Sequence, residues 1–220
     1  RDFNPSTDDE DLRAFLTIIG TVPGTQVNLT MGPRVVKVVG AGEVPVMGGG
    51  DELTLEIGPF DVINLETEGL NADFTSTLID ASQPVSVFVG SEASDAPRFD
   101  TYMTRQCCAD HLEEQLFPDV ALGSSFIIAR MPPRSTSLNQ AFVTDDSVGE
   151  VNEPEWVRVV AVGSGETVVN TTKPPPDDEI TLRERESIII PADQDFEMWT
   201  DSAKPVAVLQ TLPSQAAVGI

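Results

Sequence analysis

The chain repeats itself, and the repeat constrains the fold more than any other feature. Thr25-Gln26-Val27-Asn28-Leu29-Thr30 matches Thr167-Val168-Val169-Asn170-Thr171-Thr172. Asp51-Glu52-Leu53-Thr54-Leu55 matches Asp178-Glu179-Ile180-Thr181-Leu182, and Gln83-Pro84-Val85-Ser86-Val87 matches Lys204-Pro205-Val206-Ala207-Val208. The offsets are 142, 127 and 121, always in the same order, so the differences fall in the connections between matches. Three collinear matches mark a duplication, and a duplicated chain must fold as two similar units. The largest difference is one connection. Gly40 to Gly50 fills it in the first copy, and Lys173-Pro174-Pro175-Pro176-Asp177 fills it in the second.

Each copy reads as short strands and turns. Phe15–Ile19, Val35–Val39, Leu53–Ile57, Val85–Val89, Val157–Val160 and Val206–Leu209 are apolar or alternating runs rich in β-branched residues. The 16 Gly and 17 Pro punctuate them. Proline opens the closing strand of each copy, where no ladder donor is needed. The pattern predicts an all-β protein: two tandem, duplicated β-sandwich-like units joined by a short helical connector. The expected boundaries are 1–97 for the first unit, 98–124 for the connector and 125–220 for the second unit. The helix is expected where Asp110 can act as its cap. Leu112 and Leu116 then fall at i and i+4 on one face, and Pro118 ends it.

Charge narrows the function classes. The 220 residues carry 13 basic and 36 acidic side chains, a net charge of −23. The excess is even: −12 over residues 1–110 and −11 over 111–220. It therefore belongs to a whole surface and not to an acidic tail. Such a surface repels phosphate backbones and argues against nucleic acid as a partner. No apolar run approaches the ~20 residues of a membrane-spanning helix. The chain opens on Arg1 without Met, as expected of a processed product or a piece of a longer chain.

The expected connector holds the residues most open to a chemical reading. Cys107 and Cys108 are the only cysteines and are neighbours. Adjacent Cα atoms lie about 3.8 Å apart, short of the roughly 4.4–6.8 Å usual for a disulfide. A bond between them would be strained, and two thiols or bonds to other parts of a longer chain are the alternatives. His111 is the only histidine. A zinc site at Cys108 and His111 lacks the second ligand pair that zinc wants. A Cys–His nucleophilic dyad lacks a well-placed third group to orient the base. Asp110, His111, Leu112, Glu114 and Gln115 are accordingly read as a structural motif.

That motif carries a resemblance. Cys108-Ala109-Asp110-His111-Leu112-Glu113-Glu114-Gln115-Leu116-Phe117-Pro118, followed by Gly123 and Phe126-Ile127-Ile128, resembles the N-terminal domain family of IgGFc-binding protein. The strand Lys204-Pro205-Val206-Ala207-Val208-Leu209 is similar to the closing strand of that family's repeat units. The vicinal Cys107–Cys108 pair departs from the spaced cysteines of such relatives. The resemblance implies a secreted or cell-surface interaction module without catalytic residues. It places immunoglobulin Fc binding on no residue of this sequence.

The remaining signals are weaker. Asn28 and Asn170 sit in N-glycosylation acceptor patterns at matching repeat positions, where strand chemistry also accounts for them. The clusters Asp8–Asp11, Asp145–Asp146 and Asp177–Glu179 offer carboxylates for Ca²⁺ but none has EF-hand spacing. No other cofactor is expected. Gly40 to Gly50 lacks the Gly-Lys-Ser/Thr of a phosphate loop and reads as a flexible surface loop suited to contacts. No nucleophile elbow or His-Glu-x-x-His pair is present, so the expectation is a non-catalytic protein. The leading reading is an extracellular or cell-surface adhesion module with protein or glycan partners. The alternative is a structural subunit of an extracellular fibre, filament or sheath. Copies of itself would then be the partners, docking through the apolar Ala216–Ile220.

Overall fold

A computed structural model describes residues 13–38, 40–69, 71–94, 110–141 and 151–213. Cys107 and Cys108, the acidic clusters at 8–11 and 145–146, and the segment 216–220 lie outside the described residues. The chain divides into two compact units. The first holds the described residues up to 94 together with 110–118, and the second holds 119–141 and 151–213.

The first unit has strands β1 (Ala14–Gly20), β2 (Thr25–Thr30), β3 (Lys37–Val38), β4 (Glu52–Ile57), β5 (Val62–Glu68), β6 (Leu78–Ala81), β7 (Val85–Ser94) and β8 (Asp110–Gln115). They form one sheet of order β3-β5-β1-β7-β8 and another of order β4-β2-β6, with antiparallel pairings throughout. Strict alternation in β1 sends Ala14, Leu16, Ile18 and Gly20 inward. They meet Val27 and Leu29 of β2 in a shared apolar core, which makes the unit a sandwich.

The second unit has β9 (Ser125–Ile128), α1 (Arg134–Ala141), β10 (Trp156–Ala161), β11 (Thr167–Thr171), β12 (Glu179–Leu182), β13 (Ser187–Pro191), β14 (Phe196–Trp199) and β15 (Val206–Thr211). Its sheets run β13-β10-β15 and β12-β11-β14-β9. Val157, Val159, Val169, Ile190 and Met198 are the centre of its core.

The duplication is visible strand by strand. The triplet β5-β1-β7 corresponds to β13-β10-β15, and β4-β2-β6 corresponds to β12-β11-β14. Register is kept as well. Gly20 faces Val85 as Ala161 faces Val206, and Ile18 faces Ile63 as Val159 faces Ile188. All three sequence matches land on equivalent strands. What differs is the edges: the first unit adds β3 and β8 to one sheet, and the second adds β9 to the other.

Two expectations need correction. The helix expected from Asp110 to Leu116 is the edge strand β8, paired with β7 through Phe88↔Gln115 and Gly90↔Glu113. Residues i and i+4 share a face in a strand as they do in a helix, so Leu112 and Leu116 fit both. A segment this short is marginal as a helix alone, and the open edge of β7 offered it a ladder. Among the described residues the α-helix lies instead at Arg134–Ala141, and a 3₁₀ turn spans Asp119–Ala121. The run Val35–Val39 contributes only Lys37–Val38 as strand.

Gly90 makes the β8 docking possible. A Cβ there would lie 2.0 Å from the Leu112 carbonyl oxygen and 2.6 Å from Phe15 Cζ. With glycine in place, the Phe15 ring lies across it and stacks on His111 at 5.8 Å between centroids.

Candidate binding site

The Gly40-to-Gly50 connection is a structured hairpin and not a flexible loop. Val38 donates its N–H to the Met47 carbonyl at 2.7 Å, and Val44 donates to the Ala41 carbonyl at 3.0 Å. Val35, Val38 and Met47 are buried in the core, which anchors both arms. Its tip residues Ala41, Glu43 and Val44 stand beside the connection that carries the chain from β4 in one sheet to β5 in the other.

Between that tip and strands β4 and β5 lies a cavity of about 390 Å³. Val44, Leu55, Val62 and Ile63 supply apolar wall, and Glu43, Glu56, Asp61 and Asn64 supply oxygens. Alternation along β4 and β5 sets this mixture. The described cations of the first unit are all engaged elsewhere. Arg13 bonds Glu66 and Glu68, Lys37 bonds Glu68 at 2.8 Å, and Arg34 bonds Asp73 at 2.8 Å. The hydrogen bond from Lys37 leads in holding the Glu68 carboxyl below its ordinary value. The cavity carboxylates therefore face solvent as net negative charge, an arrangement that favours a cationic group with an apolar stem.

The turn joining β4 to β5, Gly58-Pro59-Phe60-Asp61, is held tightly. Asp61 donates its N–H to the Gly58 carbonyl at 3.2 Å, and the Asp61 carboxylate accepts the Gly58 N–H at 2.8 Å. Phe60 and Gly20 fix it to the end of β1 through Phe60 N–H to the Gly20 carbonyl and Gly20 N–H to the Asp61 carbonyl, both 2.9 Å. A Cβ on Gly20 would sit 2.1 Å from the Gly58 oxygen, so only glycine fits.

The second unit has a buried polar cluster that the sequence did not reveal. Glu153 is 4% exposed and Glu155 2% exposed. Glu153 accepts from Arg134 Nε at 2.6 Å and from the Ser135 N–H at 3.1 Å, which seats the start of α1 on a carboxylate. Glu155 accepts from the Met131 N–H at 2.8 Å and from Gln210 Nε2. Arg130 donates to the Glu153 carbonyl at 2.6 Å. Lys173, 5% exposed, bonds Asp193 and lies 5.4 Å from the Phe196 ring centroid. Burial alone would raise the Glu153 pKa. Hydrogen bonds from Arg134 and Ser135, with the Arg134 charge, outweigh that and hold it below its ordinary value. The Lys173 hydrogen bond likewise leads in holding Asp193 low. Every carboxylate here is answered within the protein, so the cluster reads as internal architecture.

The residues singled out from sequence scatter. Asp110, His111, Leu112, Glu114 and Gln115 are all exposed along β8, remote in sequence from the cavity walls. His111 Nε2 reaches Glu113 at 3.5 Å, and Asp110 bonds the neighbouring His111 N–H at 2.9 Å, a local contact and not a helix cap. Asn28 faces solvent on β2 and accepts from Thr54 Oγ1 at 2.8 Å, and Asn170 holds the equivalent place on β11. Among the described residues no three His, Cys, Asp or Glu side chains are grouped to hold a metal ion. The described residues also contain no helix long and apolar enough to cross a membrane.

The specific segment reaching Pro118 thus proves to be an edge strand completing a duplicated sandwich. A family model described as IgGFc binding protein matches residues 3–219, nearly the whole chain. The chain belongs to the IgGFc binding protein family. No curated protein and no solved structure matches it. In this member of the IgGFc binding protein family, the match spans both units and the edge strand alike. The resemblance carried by Cys108 to Pro118 and by Lys204 to Leu209 is borne out at the level of family.

Proposed function

We propose that this chain is a non-catalytic, extracellular or cell-surface module that binds a protein partner through the first unit. The observation that carries this reading is the cavity beside Ala41–Val44. It has apolar walls and carboxylates with no described cation paired to them, and none of its lining residues is a thiol, hydroxyl or imidazole. The second unit puts the short Lys173–Asp177 connection at the equivalent place, which supports the longer connection as a specialised feature of one copy. The family's description as IgGFc binding protein supports a protein as the partner.

Binding of the whole chain to IgG Fc, to a panel of purified extracellular proteins and to a glycan array tests this. Glu43 and Glu56 are exposed, so Glu43→Lys with Glu56→Lys leaves the core intact. The double variant is expected to lose about tenfold or more in affinity for the protein that wild type binds, chiefly through slower association. Unchanged binding, or binding to glycans alone, overturns the reading.

A further inference from the structure

The two copies contain the same turn with different side chains. Arg183-Glu184-Arg185-Glu186 joins β12 to β13, from one sheet to the other, as Gly58-Pro59-Phe60-Asp61 joins β4 to β5. Glu186 donates its N–H to the Arg183 carbonyl at 2.9 Å, and its carboxylate accepts the Arg183 N–H at 2.9 Å. Arg185 N–H bonds the Ala161 carbonyl at 2.8 Å, as Phe60 N–H bonds that of Gly20. At the third turn position φ is +68° for Phe60 and +60° for Arg185.

A positive φ there belongs to glycine or asparagine, and a bulky residue is an outlier. Local structure therefore does not select phenylalanine. Packing does not select it either: Phe60 is 89% exposed, more than any other described aromatic. Its neighbour Val62 is 57% exposed. Asp61, next to Phe60 in the chain, lines the cavity together with Glu56 and Glu43, and every described cation of the unit is paired elsewhere. An exposed aromatic next to a cavity lined by charge of one sign has the anatomy of an interface anchor with a polar rim.

We infer that Phe60 is the anchor of the protein-binding surface. It seats in an apolar socket of a partner whose rim presents lysine or arginine to Glu43, Glu56 and Asp61. This rests on the binding-module reading above and specifies the partner's chemistry. The ring sets dissociation, and the carboxylates set association and its salt dependence.

The test uses a phage-displayed library of cyclic heptapeptides selected against the whole chain. Selected sequences are expected to combine Lys or Arg with apolar residues. Their binding should fall about tenfold or more on Phe60→Gly and on Phe60→Asn. Because both replacements suit the positive φ, thermal stability should rise by about 2–4 °C while binding is lost, so misfolding cannot mimic the result. Arg185→Gly should raise stability in the same way and leave peptide binding unchanged. Peptides that are acidic or uncharged, or a selection that enriches nothing, overturn the inference. Binding that survives Phe60→Gly but is lost with Glu43→Lys and Glu56→Lys keeps the cavity reading and discards the anchor. Binding indifferent to all of these discards both.

Discussion

The first unit keeps its described charges out of the core and leaves Phe60 exposed, whereas the second buries Glu153, Glu155 and Lys173 and seats its helix start on Glu153. The contrast is sharpest at equivalent positions. Ala14 in β1 corresponds by register to Glu155, which immediately precedes β10, and both are buried. One position holds a methyl group, and the other holds a carboxylate bonded to Met131 and Gln210. The lesson is that the duplicated frame tolerates opposite chemistry at one site, provided each buried oxygen finds its donor.

Exchanging those residues is the most severe way to break the comparison. Ala14→Glu puts a carboxylate where no donors were built, and should cost about 4 kcal/mol. Both tryptophans, Trp156 and Trp199, lie in the second unit. Urea unfolding followed by circular dichroism therefore registers the loss, and tryptophan fluorescence tells whether the second unit is spared. Removing Arg134 comes next. Arg134→Ala strands the buried Glu153 and should cost about 3 kcal/mol in the fluorescence-detected transition.

Glu153 also gives that unit an acid limit. Its folded pKa lies below the ordinary value of 4.5. Its contribution is therefore complete above that pH and is lost as the pH falls through the lower, folded value. Fluorescence-detected stability should drop below about pH 4.5, and Arg134→Ala should flatten that part of the profile. A profile unchanged by the substitution would show that other groups set the limit.

A milder contrast lies at the strand ends. Gly20→Ala drives a methyl into the Gly58 carbonyl and should cost about 2 kcal/mol. The reciprocal Ala161→Gly only loosens a strand and should cost about 1 kcal/mol. Equal costs would mean that the two turns are held differently. The smallest effect is Arg185→Gly, expected to stabilise by less than about 1 kcal/mol, read as a small rise in melting temperature.

The strands were legible because alternation and turn residues are local properties. Val27 and Val169, or Val85 and Val206, sit in patterns that only a half-buried strand explains, and the duplication doubled each signal. β8 was misread because Leu112 and Leu116 satisfy two periodicities, and the deciding partner, β7, lies some twenty residues away. The helix at Arg134–Ala141 escaped notice because Arg-Ser-Thr-Ser-Leu-Asn-Gln-Ala has no apolar stripe, and the residue that holds its start, Glu153, comes later in the chain. Glu153 and Glu155 themselves look like any solvated acids in a chain of net charge −23. The cavity was half legible: the Gly-rich connection stood out, but its anchoring through Val35, Val38 and Met47 is a tertiary fact. Phe60 had a signal that went unused, since both copies place a four-residue turn ending in an acid between the same two strands.

The edge position of β8 has a mechanical consequence. β1 and β8 each run antiparallel to β7, so they run parallel to one another on either side of it. Tension applied at Arg13, entering β1, and at Pro118, leaving β8, would pull these outer strands in opposite directions along their length. The ladders on both sides of β7 would then be loaded in shear, with their hydrogen bonds strained together and not unzipped in turn. A chain tethered at both ends of this unit would resist force best along this axis, through β8.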